Sequence, residues 1–389
     1  MQTPRQTDSD RARNTLPWLV TAIAIVLVTH AAAVPQPFGP DAAQRLEAEG
    51  KFAEAAEVWR AVTKANPSDS AAFASLGLDL ARQGKYAEGI SAYRKAASLN
   101  PKLPGLQLNL GLAEFKAGRF EAAISPLKTA AEADPQSLQA GTLLGMAYYG
   151  AGRFPEAINV LKPISESDPG NTELRNVLAQ SCLKSKNYDC AQEQFRAILQ
   201  QNPDSPAAHI LMGEALDGLH RTEEAVGEFK AASQLDPKLP EVHFGLGYLY
   251  WELRRFDEAK PEFEAELALN PKHAQAQAYL GDMALEEGTL DVAEGLLLKA
   301  THNSDKLRIA YLDLGKLYIQ RKNYAGAVEA FQHAIKADPS QSDAHFQLAR
   351  AYQALGKKSE ADAELAKSRE LHKKNDESLV LKGATPPSK

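Results

Sequence analysis

Cysteine is almost absent: Cys182 and Cys190 are the only two in 389 residues. Their C-x7-C spacing is not the C-x-x-C of redox enzymes. Basic runs are missing as well. Lys and Arg come in short pairs, the formal net charge is −6 and the pI is near 5.9. Nothing there supports a nucleic-acid partner, which would want a basic patch. Catalytic signatures are lacking too: there is no H-E-x-x-H, no G-x-S-x-G and no Walker loop. Gly356-Lys357 has Ala351 where the earlier glycine belongs. Gly245 and Gly247 mimic a dinucleotide fingerprint, but Tyr250 stands at the third glycine and no strand pattern precedes. Aromatics make up only 7%, so any local cluster of them stands out. What remains, 44% hydrophobic and 24% charged, is the composition of a folded soluble chain.

The first residues read as a targeting segment. Arg5, Arg11 and Arg13 precede a continuous apolar stretch at 16–28, followed by Ala31-Ala32-Ala33. A basic start, an apolar run and an A-x-A triplet make a secretory signal over 1–33, with the mature chain starting near Val34. The rival is an uncleaved anchor over 16–34. Both place the body outside the cytoplasm, periplasmic or anchored to the inner membrane, because the arginines stay inside.

Proline supplies the strongest pattern. Pro67, Pro101, Pro135, Pro169, Pro203, Pro237, Pro271 and Pro339 are spaced by 34 residues or a multiple of it, and only Asp305 breaks the series. With the proline as position 32, position 8 is always small, as in Gly77, Gly145, Gly247 and Ala349. So is position 20, as in Ala55, Ala157, Ala259 and Ala327. Each unit therefore reads as two helices joined by a short turn such as Gln83-Gly84-Lys85. Small residues at 8 and 20 let the pair approach. Larger ones at 7, 11, 17 and 24, such as Leu144, Tyr148, Phe154 and Leu161, fill the space around them. Proline stops the second helix. One such pair cannot bury its apolar face, so the units must stack.

This pattern resembles the tetratricopeptide repeat, with its large–Leu–Gly–Tyr, Ala, Phe, Ala, Pro signature. The resemblance covers residues 36–374, or ten repeats. It implies an all-α fold, a right-handed superhelical solenoid of helix-turn-helix repeats. The domains are then the leader (1–33), the repeat solenoid (34–374) and a disordered tail (375–389). The last second helix, 359–374, is charged and reads as a solubilising cap. Histidine replaces the usual aromatic at position 4 in His209, His243 and His345. These lie too far apart in the array to share one metal site, so no metal or other cofactor is implied.

The resemblance also implies a groove lined by first helices, whose positions 2, 5, 6, 9, 12 and 13 face a bound peptide segment or helix. In the stretch HFGLGYLYWEL (243–253), His243, Leu246, Gly247 and Tyr250 fall on repeat positions. Phe244, Tyr248 and Trp251 form a second stripe toward the groove. Tyr279 and Leu285 join them from the next repeat, with Glu214, Asp217, Glu252, Asp282 and Glu286 among them. Leu108, Leu112, Phe115, Met146 and Tyr149 offer a second apolar stretch earlier in the array. Aromatic anchors in a polar rim are what binding hot spots look like, and the acids favour basic or amine-bearing partners. The Lys and Asn clamp of carboxylate-binding grooves is missing.

The expectation is a non-catalytic scaffold or adaptor of a bacterial cell envelope that binds other proteins. Two alternatives stand beside it. One is a thiol-redox enzyme using Cys182 and Cys190, a pair that also reads as a structural disulfide or as two free thiols. The other is an architectural protein that self-associates through its repeat ends.

Overall fold

The computed structural model describes residues 39–381, so the expected leader lies outside the described residues. Among the described residues there are twenty helices in consecutive pairs and no strand. The chain divides into two compact units, the first ending at Asn109 and the second beginning at Leu110. In the first, α1 (Pro40–Ala48), α2 (Phe52–Ala65), α3 (Ser70–Arg82) and α4 (Tyr86–Leu99) each pack on the next. The division falls inside α5 (Leu106–Lys116).

The second unit continues with α6 (Phe120–Ala133), α7 (Leu138–Gly150), α8 (Phe154–Ser167), α9 (Thr172–Lys184) and α10 (Tyr188–Gln201). Next come α11 (Pro206–Gly218), α12 (Thr222–Leu235), α13 (Val242–Glu252), α14 (Phe256–Leu269) and α15 (Ala274–Glu286). It closes with α16 (Leu290–Asn303), α17 (Arg308–Gln320), α18 (Tyr324–Ala337), α19 (Ser342–Ala354) and α20 (Lys358–Leu381). From α6 to α20 neighbours in sequence pack together, and first helices of successive repeats also touch, as in α13 with α15 and α15 with α17. This is the all-α solenoid of helix pairs that the 34-residue spacing predicts.

The close approach at position 8 is physical. A Cβ on Gly145 would sit 2.2 Å from Leu161, and one on Gly315 would sit 2.3 Å from Phe331. Those partners occupy position 24, and Ala157 and Ala327 at position 20 are fully buried beside them. Each first helix ends in a tight turn. In α7, Gly152 is left-handed at φ +75°, its N–H donates to Tyr149, and Arg153 N–H reaches back to Tyr148 at 2.8 Å.

Second helices end at an Asn or Asp before the proline. The side chains of Asn100, Asp134 and Asp236 then accept the N–H two residues on, bridging the ring that has no N–H of its own. Two residues past the proline a new cap starts the next first helix: Asp69, Ser137, Asn171 and Ser205 each accept an N–H from its first turn.

Helix α20 runs on to Leu381, past the end of ordered structure expected at Lys374. Residues 375–381 contain neither glycine nor proline, so no residue there stops the helix, and the first such residue is Gly383.

Candidate functional site

Helix α13 carries two apolar stripes because it meets two neighbours. Leu246 and Tyr250 are buried, and Gly247 lies against the Phe263 ring of α14, where a Cβ would be 2.9 Å away. Phe244, Tyr248 and Trp251 stay half-buried on the other side, where Tyr279 of α15 meets them. Tyr248 lies at the centre, with ring centroids 6.4 Å from Phe244, 6.2 Å from Trp251 and 5.7 Å from Tyr279. Trp251 packs on Tyr279 at 4.8 Å, and Tyr279 stacks on the buried Phe263 at 5.4 Å. The four rings form one continuous patch with a core ring beneath.

Acidic groups border the patch. Half-buried Asp217 of α11 and exposed Glu252 of α13 both act on Tyr248. Burial, then the charge of Asp217, raises the Glu252 carboxyl above its ordinary value, while His220 opposes the shift. Burial followed by Glu252 and Asp217 raises the Tyr248 hydroxyl. Burial, Tyr248 and Asp282 likewise push the Tyr279 hydroxyl up.

Several expected groove residues sit elsewhere. Leu285 is buried at 7% exposure and shares a core cluster with Leu314 and Leu317 of α17, because the next first helix covers it. Asp282 is buried at 8% and accepts the Trp251 indole N–H at 2.8 Å, so it anchors the patch from below instead of fringing it. Glu286 is exposed and pairs with Arg254 at 3.5 Å, and Glu214 is exposed. Leu112, Phe115, Met146 and Tyr149 are half-buried in earlier repeats. Phe115 turns edge-on to Phe120 at 5.3 Å, and Tyr149 leans on Phe154 while its hydroxyl donates to Gln180 at 2.6 Å. At those repeats position 12 packs on position 17 of its own pair.

Sequence reading missed two residue sets. Asp313 of α17 is buried at 1% and paired with Lys316 at 2.7 Å, and burial raises its carboxyl to about 6. The visible signal was charge at positions 6 and 9 of that repeat. The second set is Glu241, Glu266 and His273, whose ligand atoms lie within 4.8 Å of one another. His273 stands where other repeats place a capping side chain. Its Nδ1 accepts the Ala276 N–H at 3.1 Å, so the neutral ring holds its proton on Nε2, facing Glu241 at 3.1 Å. Both nitrogens are thus committed, which leaves no imidazole lone pair for a metal.

The position-4 histidines are structural. His209, His243 and His345 place Nδ1 at 2.6, 2.7 and 2.6 Å from Glu228, Glu262 and Glu364, joining first helix to second. Nε2 of His209 and of His243 lies 2.9 Å from the carbonyl of Pro203 and Pro237. Gln277 and Arg175 give the same contact to Pro271 and Pro169. Position 4 therefore latches the carbonyl of the preceding proline.

Cys182 of α9 and Cys190 of α10 are joined by a disulfide. Cys190, at position 19, is only 8% exposed and Cys182 is fully buried.

An array of paired helices whose first helices touch in series is a repeat scaffold. Two family models, both described as tetratricopeptide repeat, match the chain. One matches 114–181, 148–215, 182–243 and 318–380, the other 41–104, 75–137 and 244–306. The chain belongs to the tetratricopeptide repeat family. Among solved structures it is similar to MamA MSR-1, at 28% identity over 42% of this chain and 95% of that one, with a TM-score of 0.39. MamA from Desulfovibrio magneticus RS-1 has 23% identity over 43% of this chain and 95% of its own, with a TM-score of 0.40. The C-terminal part of a TPR repeat-containing protein from Cytophaga hutchinsonii has 20% identity over 62% of this chain and 98% of its own, with a TM-score of 0.50. No curated protein matches the chain. Repeats of this family mediate protein–protein interaction, which is the role of a scaffold.

Proposed function

We propose that the chain is an exported adaptor of a bacterial envelope that receives a peptide segment or helix on the α13–α15 face. The observation that carries this reading is the ring patch of Phe244, Tyr248, Trp251 and Tyr279. Its four side chains come from two successive first helices and stay half-buried, leaving one face of the ring cluster open to a partner. Trp251 is pinned by Asp282 and Tyr279 is backed by Phe263, so the patch is held in place before a partner arrives. Export rests on the basic and apolar character of residues 1–33. Among the described residues no helix is long and apolar enough to cross a membrane.

The test is a site-directed photo-crosslinker at Tyr279 in intact cells, with Glu264, exposed on α14, as the comparison site. A partner captured from Tyr279 and lost in Tyr248→Ala plus Trp251→Ala is the expected result. Equal capture from both sites, or capture indifferent to the double substitution, removes the patch as the binding surface. Fractionation of the same cells into cytoplasm, membrane and periplasm tests the export.

A further inference from the structure

We propose that the partner segment presents a lysine or arginine to this face, seated between the Asp217 and Glu252 carboxylates and the Tyr248 ring. The inference rests on reading the α13–α15 face as the peptide-binding surface, and it names the chemistry that surface selects.

The two carboxylates come from different first helices, α11 and α13, and their backbones are fixed by the repeat. Asp217 holds position 12 of its repeat and Tyr248 position 9 of the next, the register at which Trp251 reaches Asp282, and Glu252 follows Tyr248 one turn on, where the charge of Asp217 helps raise its carboxyl. When both ionise, like charges face each other beside an apolar patch, and a cation between them relieves the repulsion. Elsewhere in this unit the chain supplies that cation itself: Lys316 for Asp313 at 2.7 Å and Arg254 for Glu286 at 3.5 Å. Among the described residues no Lys or Arg makes an ion pair with Asp217 or Glu252, and His220 is the one basic group acting on Glu252. The missing counter-charge is what a partner can bring.

The neighbouring rings select among cations. A metal ion wants further oxygen or nitrogen donors, and Phe244, Tyr248 and Trp251 offer ring faces instead. Ring faces attract an ammonium or guanidinium, and its methylene stem covers apolar surface as it reaches in. Tyr248 stands between both features, with Phe244 and Trp251 on its flanks and the Asp217–Glu252 pair acting on its hydroxyl. The Trp251 indole N–H is already taken by Asp282, so its ring is oriented without help from the ligand.

The experiment pans a fully randomised dodecapeptide display library on the whole chain, on Asp217→Asn plus Glu252→Gln, and on Tyr248→Ala plus Trp251→Ala. Affinities of the enriched peptides are then measured by calorimetry. Enriched peptides are expected to share one Lys or Arg beside apolar residues. Replacing it by norleucine or citrulline should weaken binding about tenfold, and the amide variant should lose the same factor without adding to that loss. Neutralising two exposed acids of α14, Asp257→Asn plus Glu264→Gln, should leave affinity unchanged, which separates the site from general attraction to an acidic chain. Enriched peptides without a fixed basic residue, or insensitivity to the amide variant, overturn the cation inference. If those same peptides still need Tyr248 and Trp251, the face remains the binding surface. Binding indifferent to both ring substitutions overturns that underlying reading. Tyr248→Phe, which keeps the ring, should bind as the parent does and guards against a loss caused by misfolding.

Discussion

The Trp251 indole donates to the Asp282 carboxylate at 2.8 Å and so ties position 12 of one repeat to position 9 of the next. Asp282 is buried at 8% exposure, so removing its donor leaves a desolvated acceptor. Trp251→Phe is expected to cost about 1–3 kcal/mol, with Asp282→Asn costing less because the amide can still accept the indole N–H. Urea midpoints of the two single variants and the double variant measure this. A non-zero coupling between them is the signature of the bond, and strict additivity would deny it.

The histidine–glutamate pairs make a second prediction. His243 links α13 to Glu262 of α14 at 2.7 Å and reaches the Pro237 carbonyl at 2.9 Å. Glu262→Ala should cost about 0.5–2 kcal/mol, and His243→Gln should cost less than His243→Ala. Gln277, at the same position one repeat on, already donates to the Pro271 carbonyl at 2.8 Å. Hydrogen exchange at the 237–243 junction reads the local effect, and protection unchanged in His243→Ala would remove the latch.

Much of this was legible because a solenoid repeats its mistakes and its rules alike. Eight prolines in register set the ends of the second helices, and the small residues at positions 8 and 20 set the helix contact. The second stripe of α13 was also visible, since Phe244, Tyr248 and Trp251 do not fit the repeat face. Leu285 and Asp282 were misplaced because groove positions were carried from one repeat to the next unchanged. Whether position 12 faces outward depends on the next first helix, and α17 covers it in one case. The turns hid a further difference. Lys186, His220, Arg254 and Lys322 adopt the left-handed conformation that Gly152 holds in its own repeat, at φ +59° to +60°. Register imposes that turn even where the residue does not favour it. Ligand-free pairings such as Glu241 with His273 join residues 32 apart and carry no local pattern.

Asp79 predicts a pH dependence confined to the first unit. It is fully buried in α3, and burial followed by the charge of Glu47 raises its carboxyl to about 7, with Arg82 opposing. Its unfolded value is near 3.9. Between those values the folded state holds a proton that the unfolded state has lost, so stability falls as pH rises from about 4 to about 7 and then levels. Asp79→Asn should flatten that fall and stabilise the protein above about pH 7 by roughly 1–3 kcal/mol. The difference between parent and variant urea midpoints at about pH 4.5, 6 and 8 checks it. A difference that does not grow with pH would remove Asp79 as the cause.

The disulfide separates the scaffold from its redox rival. Cys182 and Cys190 are 8 residues apart in sequence, so the loop they close is short and its closure contributes about 2–3 kcal/mol. The pair α9–α10 also rests on Leu174, Leu178 and Phe195, all at 1% exposure or less. Cys182→Ala plus Cys190→Ala should therefore lower the unfolding midpoint while circular dichroism keeps its helical signal. A thiol-disulfide enzyme needs a thiolate that can meet a substrate sulfur, and these sulfurs belong to residues 0% and 8% exposed. In an insulin-reduction assay the parent chain should match the double variant at every reductant concentration. Turnover that depends on the two cysteines would replace the non-catalytic reading with the enzymatic one.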